Sequence, residues 1–396
     1  MANWTLLLLA LTGLLAAGLP LVLVWRSRDP DKFRKLAWLT VFLTFDLIVF
    51  GAFTRLTDSG LGCPDWPGCY GLANPFLAHE QITAAQTLMP TGPVTVLKAW
   101  VEMIHRFLAS AIGLLCVVLM AWSWLRARVV PRLRARMGAR NGLLGDARAE
   151  LARRGSPWLP TGTFLLVCVQ GAFGAWTVTL KLQPAIVTTH LVLGMSLLVV
   201  VTWLGCRMDA AAAPVAANGA DLAPTDVRVL AGLAAFVLAL QIALGGWVST
   251  NYATLACTDF PLCQGALVPE MDFSHGFTLW RELGKTAAGH YLPFAALTAI
   301  HWVHRNFALV VVIVLGLAAW RAWPHARLRP LARALVAALV LQACSGIATV
   351  YLSFPLAIAV LHNAGAALLV LLVTMLNYRA SHLSVAVQRA PAQPRK

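Results

Sequence analysis

Four histidines and two cysteine pairs carry the chemistry this sequence can support. His105 sits in Glu102-Met103-Ile104-His105-Arg106-Phe107, and His304 in the matching phrase His301-Trp302-Val303-His304-Arg305-Asn306-Phe307. His190 follows Pro184 by six residues, and His362 follows Pro355 by seven. All four lie in apolar runs, where an ionisable side chain is costly without a partner and marks a functional position by default. One histidine alone in such a run reads most simply as a core residue bonded to backbone or hydroxyl. Four of them, in matched contexts on matched segments, point to paired ligands. Two apposed imidazoles in apolar surroundings suit a six-coordinate haem iron. Zinc suits them less, because no third or fourth ligand recurs at that depth.

The cysteines repeat as well. Cys63-Pro64-Asp65-Trp66-Pro67-Gly68-Cys69-Tyr70-Gly71 returns as Cys257-Thr258-Asp259-Phe260-Pro261-Leu262-Cys263-Gln264-Gly265. The shared skeleton is C-x-D-aromatic-P-x-C-x-G, and the match runs back without a gap to Gly51 against Gly245. Each pair could close as a disulfide around its Pro-containing turn. Two uses are open: a staple that shapes a lid over the outer haem edge, or a thiol relay. The Asp-aromatic-Pro core favours a rigid turn. Cys116, Cys168, Cys206 and Cys344 lie within or at the ends of apolar runs and read as small packing residues.

The two copies differ at one telling place. Glu102 stands one helical turn before His105, on the same face; its counterpart before His304 is His301. A duplicated scaffold with a single carboxylate suggests divided labour, the Glu102 copy doing chemistry and the other moving electrons. A carboxylate beside a haem edge could take a proton or stabilise positive charge developing on a substrate carbon. Arg106 and Arg305 fit haem propionates, with interfacial snorkelling as the plainer use. Gln170, Gly174 and Thr177 recur as Gln342, Gly346 and Thr349, and the glycines read as close-packing positions. Glu-x-x-His also occurs in di-iron bundles, but those need several inward acids, and Asp46 is the one other mid-span acid here. Asp46 and His301 have no assigned role. His275 and His290 sit in an outer loop without repeated partners, and His79, His325 and His382 look peripheral.

The elements that position these groups are transmembrane helices. The chain has 396 residues, 59% hydrophobic and 12% charged, a balance of polytopic membrane proteins. Apolar runs of bilayer length predict a first span at 3–25, four spans near 37–55, 98–125, 159–180 and 185–206, and four near 228–249, 296–320, 331–352 and 356–378. The expected fold is therefore an all-α polytopic membrane protein: two tandem four-helix bundles related by an internal repeat, plus an extra N-terminal helix. The expected segments are 1–35 (first helix and linker), 36–207 (substrate-side half), 208–227 (linker), 228–378 (cofactor-side half) and 379–396 (a disordered tail). The first span lacks a basic start and a clear cleavage site, so it reads as a retained helix rather than a signal peptide.

Charge orients the bundle. The net charge of +15 does not call for nucleic acid, because the basic residues cluster in short loops between spans. The connection 126–157 carries nine Arg, and Arg321, Arg327, Arg329 and Arg333 fall in the corresponding later connection. The positive-inside rule puts both in the cytoplasm and the Cys loops in the periplasm of an inner-membrane protein, an oxidising compartment that permits disulfides. Membrane lipid is thus the first expected partner.

At this point the residues resemble a known family, haem A synthase. The phrases that carry the likeness are Gly51-Ala52-Phe53-Thr54-Arg55-Leu56-Thr57-Asp58-Ser59-Gly60-Leu61-Gly62-Cys63, Glu102 to Arg106, Thr188-Thr189-His190, His304-Arg305-Asn306 and Leu361-His362-Asn363, over residues 36–378. The resemblance implies eight helices in two four-helix halves, so the first span is a departure that puts the N-terminus outside. It implies oxidation of one methyl group of haem O to formyl by two successive hydroxylations, with loss of water, to make haem A for cytochrome oxidase. It implies His304 and His362 as axial ligands of a bound haem b, His105 and His190 as the pair addressing substrate haem O, and Glu102 as the catalytic acid residue. Cys63–Cys69 and Cys257–Cys263 match the family's extracytoplasmic disulfides. Haem O synthase and cytochrome oxidase assembly factors are the partners this function suggests, with a homo-oligomer left open. The competing readings are a dihaem b-type electron carrier, which leaves Glu102 unassigned, a membrane thiol oxidoreductase, which leaves the histidines unexplained, and a non-enzymatic haem-delivery protein.

Overall fold

The structure is a computed structural model that describes residues 2–136, 156–212 and 223–388. Its long helices are α1 (Ala2–Arg26), α2 (Lys32–Leu56), α4 (Val96–Arg136), α5 (Trp158–Thr179), α6 (Pro184–Ala212), α7 (Thr225–Thr250), α8 (Phe294–Ala322), α9 (Arg329–Tyr351) and α10 (Leu356–Gln388), with the short α3 (His79–Leu88) between α2 and α4. Eight of them, α2 and α4 to α10, are long and apolar enough to cross a membrane, and no strand occurs among the described residues. The chain is an all-helical multi-pass membrane protein.

Local chemistry sets the helix starts. Asp31 caps α2, its carboxylate accepting the N–H groups of Phe33 and Arg34 at 3.1 Å each. Pro184 opens α6, Pro330 lies in the first turn of α9, and Pro355 directly precedes α10, all places where proline's missing N–H costs nothing. The helix ends depart from the hydropathy reading. The Arg-rich connection expected from 126 is helical as far as Arg136, and the tail expected to be disordered stays helical to Gln388. Arginine and leucine are good helix formers, so the helix outlasts the apolar run that signalled it. The rest of 126–157, the middle of the 208–227 linker and the last tail residues lie outside the described residues.

The described chain forms two compact units. The first comprises Met1–Ala211 together with Thr278–Tyr291, and the second Ala212–Phe277 and Leu292–Lys396. Within the first, α2, α4, α5 and α6 enclose the bundle: α4 packs on α2 and on α5, while Trp38 of α2 lies against Gly205 of α6. A Cβ at Gly205 would fall 2.9 Å from the Trp38 ring, so only glycine lets these helices meet there. The extra helix α1 joins this core, burying Ala17 and Val24 with Phe33, Leu36, Leu115 and Leu119. Within the second unit, α7 packs on α8, α8 on α9, α9 on α10, and α10 back on α7. Leucine and isoleucine side chains elsewhere on the spans point outward, such as Ile313 at 61% and Leu341 at 67% exposure, a surface suited to lipid tails.

The repeat extends to backbone dihedrals. Asp58, Tyr70 and Gly71 have positive φ of 50°, 51° and 72°, and their counterparts Tyr252, Gln264 and Gly265 have 55°, 54° and 76°. The turns before α6 and α10 each use two successive left-handed residues, Lys181 and Leu182 in one and Ser353 and Phe354 in the other. A non-glycine residue in this region costs energy, so its recurrence at matched positions marks both loops as shaped turns. Trp66–Pro67 and Phe260–Pro261 are cis in both copies.

Candidate functional site

Each of the four histidines faces a glycine on the preceding spanning helix. An added Cβ would lie 3.0 Å from the His105 ring at Gly51 and 3.0 Å from the His190 ring at Gly174. In the second unit the corresponding distances are 2.9 Å for Gly245 against His304 and 3.0 Å for Gly346 against His362. Four helix pairs thus present one motif: a backbone without a side chain opposite an imidazole. Gly174 and Gly346, read from sequence as packing positions, also make the room in which a ring can stand. His105 and His190 both belong to the first unit, and His304 and His362 both to the second. Phe50 stacks on His105, ring centroids 6.3 Å apart.

The second histidine of each pair is met by a glutamine one turn before the glycine. Gln170 Nε2 lies 3.4 Å from His190 Nε2, and Gln342 Nε2 lies 3.3 Å from His362 Nε2. The sequence showed these glutamines repeating but not what they touch. His362 has a further partner, Ser345 Oγ, 2.9 Å from Nδ1. His190 Nδ1 is buried with no hydrogen-bond partner, and so are His304 Nδ1 and Arg305 Nη1. Gln241 Nε2, on α7, donates to the His304 carbonyl at 3.1 Å.

The Cys loops dock onto the helices that carry the first histidines. Cys63–Cys69 and Cys257–Cys263 are both disulfides. Asp65 braces the first loop, its carboxylate accepting the N–H groups of Tyr70 and Gly71 at 2.6 Å each. Asp259 does the same for Gln264 and Gly265 at 2.7 and 2.9 Å, and the Gly265 N–H, more than any other contact, holds its carboxyl below the ordinary carboxylate range. The aspartate of the repeated skeleton is therefore the brace of a rigid turn.

Glu102 is 4% exposed and sits where this loop meets α4. Its Oε2 accepts the Cys63 N–H at 2.8 Å, and its Oε1 is paired with Arg106 Nη2. Gly62 lies against the Lys98 and Ala99 backbone too closely for any side chain, which brings the loop down onto the carboxylate. Arg106 Nη1 donates to the carbonyls of Asp65, Pro67 and Gly68 at 3.0, 3.3 and 2.7 Å. In the second unit His301, 6% exposed, takes the position of Glu102: its Nδ1 accepts the Cys257 N–H at 3.3 Å. Arg305 Nη2 donates to the Leu262 carbonyl at 3.1 Å. His301, unassigned from sequence, is thus the structural counterpart of Glu102 as a loop anchor. Asp46 lies exposed on α2, apart from these contacts. His275 pairs with Asp272 at 2.6 Å, and His79 begins α3.

A sequence model of the family described as cytochrome oxidase assembly protein matches residues 34–374. Among curated proteins, the chain is 37% identical over 358 residues to a haem A synthase of Shewanella oneidensis, covering 90% of this chain and 99% of that one. It is 31% identical over 349 residues to a haem A synthase of Rhizobium rhizogenes, covering 81% and 82%. A third haem A synthase, from a Caulobacter species, is 30% identical over 376 residues, covering 88% and 97%.

Proposed function

The chain belongs to the family of cytochrome oxidase assembly proteins, and from that premise we propose that it is a haem A synthase, an oxidoreductase that converts haem O to haem A by oxidising one methyl group to a formyl group. The observation that carries the assignment of sites is the fourfold glycine–histidine facing, two per unit. Each glycine gives its imidazole room to stand against the neighbouring helix, so each unit brings two rings from two helices, the ligand pair a six-coordinate haem takes. The buried unpartnered nitrogens fit the same group, since His304 Nδ1 and Arg305 Nη1 stand ready for partners the protein does not supply.

His304 and His362 would hold haem b in the second unit, with Arg305 Nη1 taking a propionate. When bound, haem b supplies one-electron chemistry. His105 and His190 would orient substrate haem O in the first unit, where Arg106 contributes positive charge although its donors already close on Glu102 and the loop. Glu102 is the catalytic carboxylate of this reading. Each of its oxygens keeps a lone pair beyond the contacts to Cys63 and Arg106, and could accept a proton there or face positive charge developing on the substrate carbon. The disulfide loops act as staples over the two sites, and apolar helices exclude water. The Arg-rich connections lie in the cytoplasm and the Cys loops in the periplasm.

The test is direct. Purified protein with haem b is supplied with haem O, air and a redox mediator able to take up the four electrons lost between methyl and formyl, and extracted pigments are separated by chromatography. Appearance of formyl-bearing haem A supports the proposal. Unchanged haem O beside an intact haem b spectrum overturns it in favour of an electron carrier or a haem-delivery protein.

A further inference from the structure

The two sites agree in nearly every contact of their second histidine. The glycine facing is the same to a tenth of an ångström, at 3.0, 3.6 and 3.9 Å from the same three ring atoms of His190 and His362. The glutamine contacts are 3.4 and 3.3 Å. One position breaks the match. Ser345 lies one residue before Gly346, and the residue one before Gly174 is Phe173, whose ring packs edge-on against Trp176 at 5.0 Å.

The consequence is a difference in tautomer support. The Ser345 hydroxyl donates its single proton to the main-chain carbonyl of Gln342 at 2.9 Å. Its oxygen can then only accept from His362 Nδ1, 2.9 Å away. The Gln342 amide, a donor, requires the same state from the other side, with a lone pair on His362 Nε2. Both constraints put the ring proton on Nδ1 and the lone pair on Nε2, the pair a metal would take in place of the Gln342 amide. A histidine ligand that donates its other N–H is fixed in orientation and made more basic. His190 has the glutamine but not the acceptor, and its Nδ1 is buried alone.

We propose that Ser345 is a positioning residue that makes His362 a retaining ligand, and that Phe173 leaves His190 an exchangeable one. This inference rests on the reading above, in which the second unit keeps its haem and the first must take up substrate and release product. A duplicated scaffold needs such a difference, since one site that let go of its cofactor, or one that kept its product, would stop turnover.

Full-length protein loaded with haem b at both sites is mixed with a haem-scavenging apoprotein, and release is followed by absorbance and by the low-spin electron paramagnetic resonance signal. Wild type is expected to release in a fast and a slow phase. Ser345→Ala should speed the slow phase by about 10- to 100-fold, the usual loss when a metal-bound histidine loses its outer partner, and shift the low-spin signal. Ser345→Thr, which keeps the hydroxyl, should restore the wild-type slow phase. A Ser345→Ala protein with wild-type release and an unchanged signal overturns the inference while leaving the haem sites standing. Wild type that binds no haem at His304 and His362 overturns both readings together. If Ser345→Ala does not accumulate, Phe173→Ser decides: a slowed fast phase supports the proposal and an unaltered one overturns it.

Discussion

The backbone N–H of Cys63 donates to the Glu102 carboxylate at 2.8 Å, so the first disulfide loop is anchored on the side chain one turn before His105. Cys257 and His301 repeat the relation at 3.3 Å in the second unit. The carboxylate assigned to chemistry is therefore also a structural anchor, and the two duties can be separated.

Glu102→Gln keeps an acceptor for the Cys63 N–H but removes the charge and the proton-accepting capacity. Conversion of haem O should fall by about 10²- to 10⁴-fold, the range of general acid–base contributions, with amide exchange at Tyr70 and Gly71, which Asp65 holds, unchanged. Glu102→Ala should lose activity and also loosen that loop, since a buried unpaired N–H costs about 1–3 kcal/mol. Wild-type turnover in the Gln variant would reduce Glu102 to the anchor alone.

Arg106 and Arg305 should fail differently. Arg106 joins buried Glu102 to three loop carbonyls, and breaking a buried pair from one side costs about 3–5 kcal/mol. Arg106→Ala should lower the melting temperature of the purified protein. Arg305 has one loop contact and a buried unpartnered Nη1, so Arg305→Ala should weaken haem b retention with a smaller thermal effect. Equal melting shifts in the two variants would contradict this division.

The facing glycines make a paired prediction. Alanine at Gly346 would press its Cβ against His362 at 3.0 Å, and alanine at Gly174 would do the same to His190. Overpacking of this kind costs about 1–3 kcal/mol. Gly346→Ala should alter or abolish the haem b spectrum, whereas Gly174→Ala should leave that spectrum intact and suppress haem A formation. Loss of haem b in both would place the cofactor elsewhere.

The second Cys loop should resist acid. The Asp259 carboxyl is held below its ordinary range chiefly by the Gly265 N–H, so the loop's stabilisation is complete above the unfolded carboxylate pKa of about 3.9 and is lost only as pH falls through the lower folded value. Amide exchange at Gln264 and Gly265, corrected for intrinsic rates, should stay protected from neutral pH to below pH ~4. Asp259→Asn should remove that pH dependence; an unaltered profile would show that other contacts close the turn.

Much of the architecture was legible in the residues. Span lengths, the repeat from Gly51 against Gly245, the Pro-led starts of α6 and α10 and the four histidines follow from hydropathy and spacing, because a bilayer imposes helix length and penalises lone polar groups. Helix ends were less legible: Arg-rich stretches leave the apolar signal without leaving the helix. Contacts across helices were not legible at all. That Gly174 and Gly346 face imidazoles, that Asp65 and Asp259 brace their turns, that His301 stands in for Glu102 and that Ser345 supports His362 while Phe173 does not support His190 depend on the rotation of one helix against the next. A periodic pattern marks which face of a helix is apolar; only packing decides which single residue on the neighbouring helix that face meets.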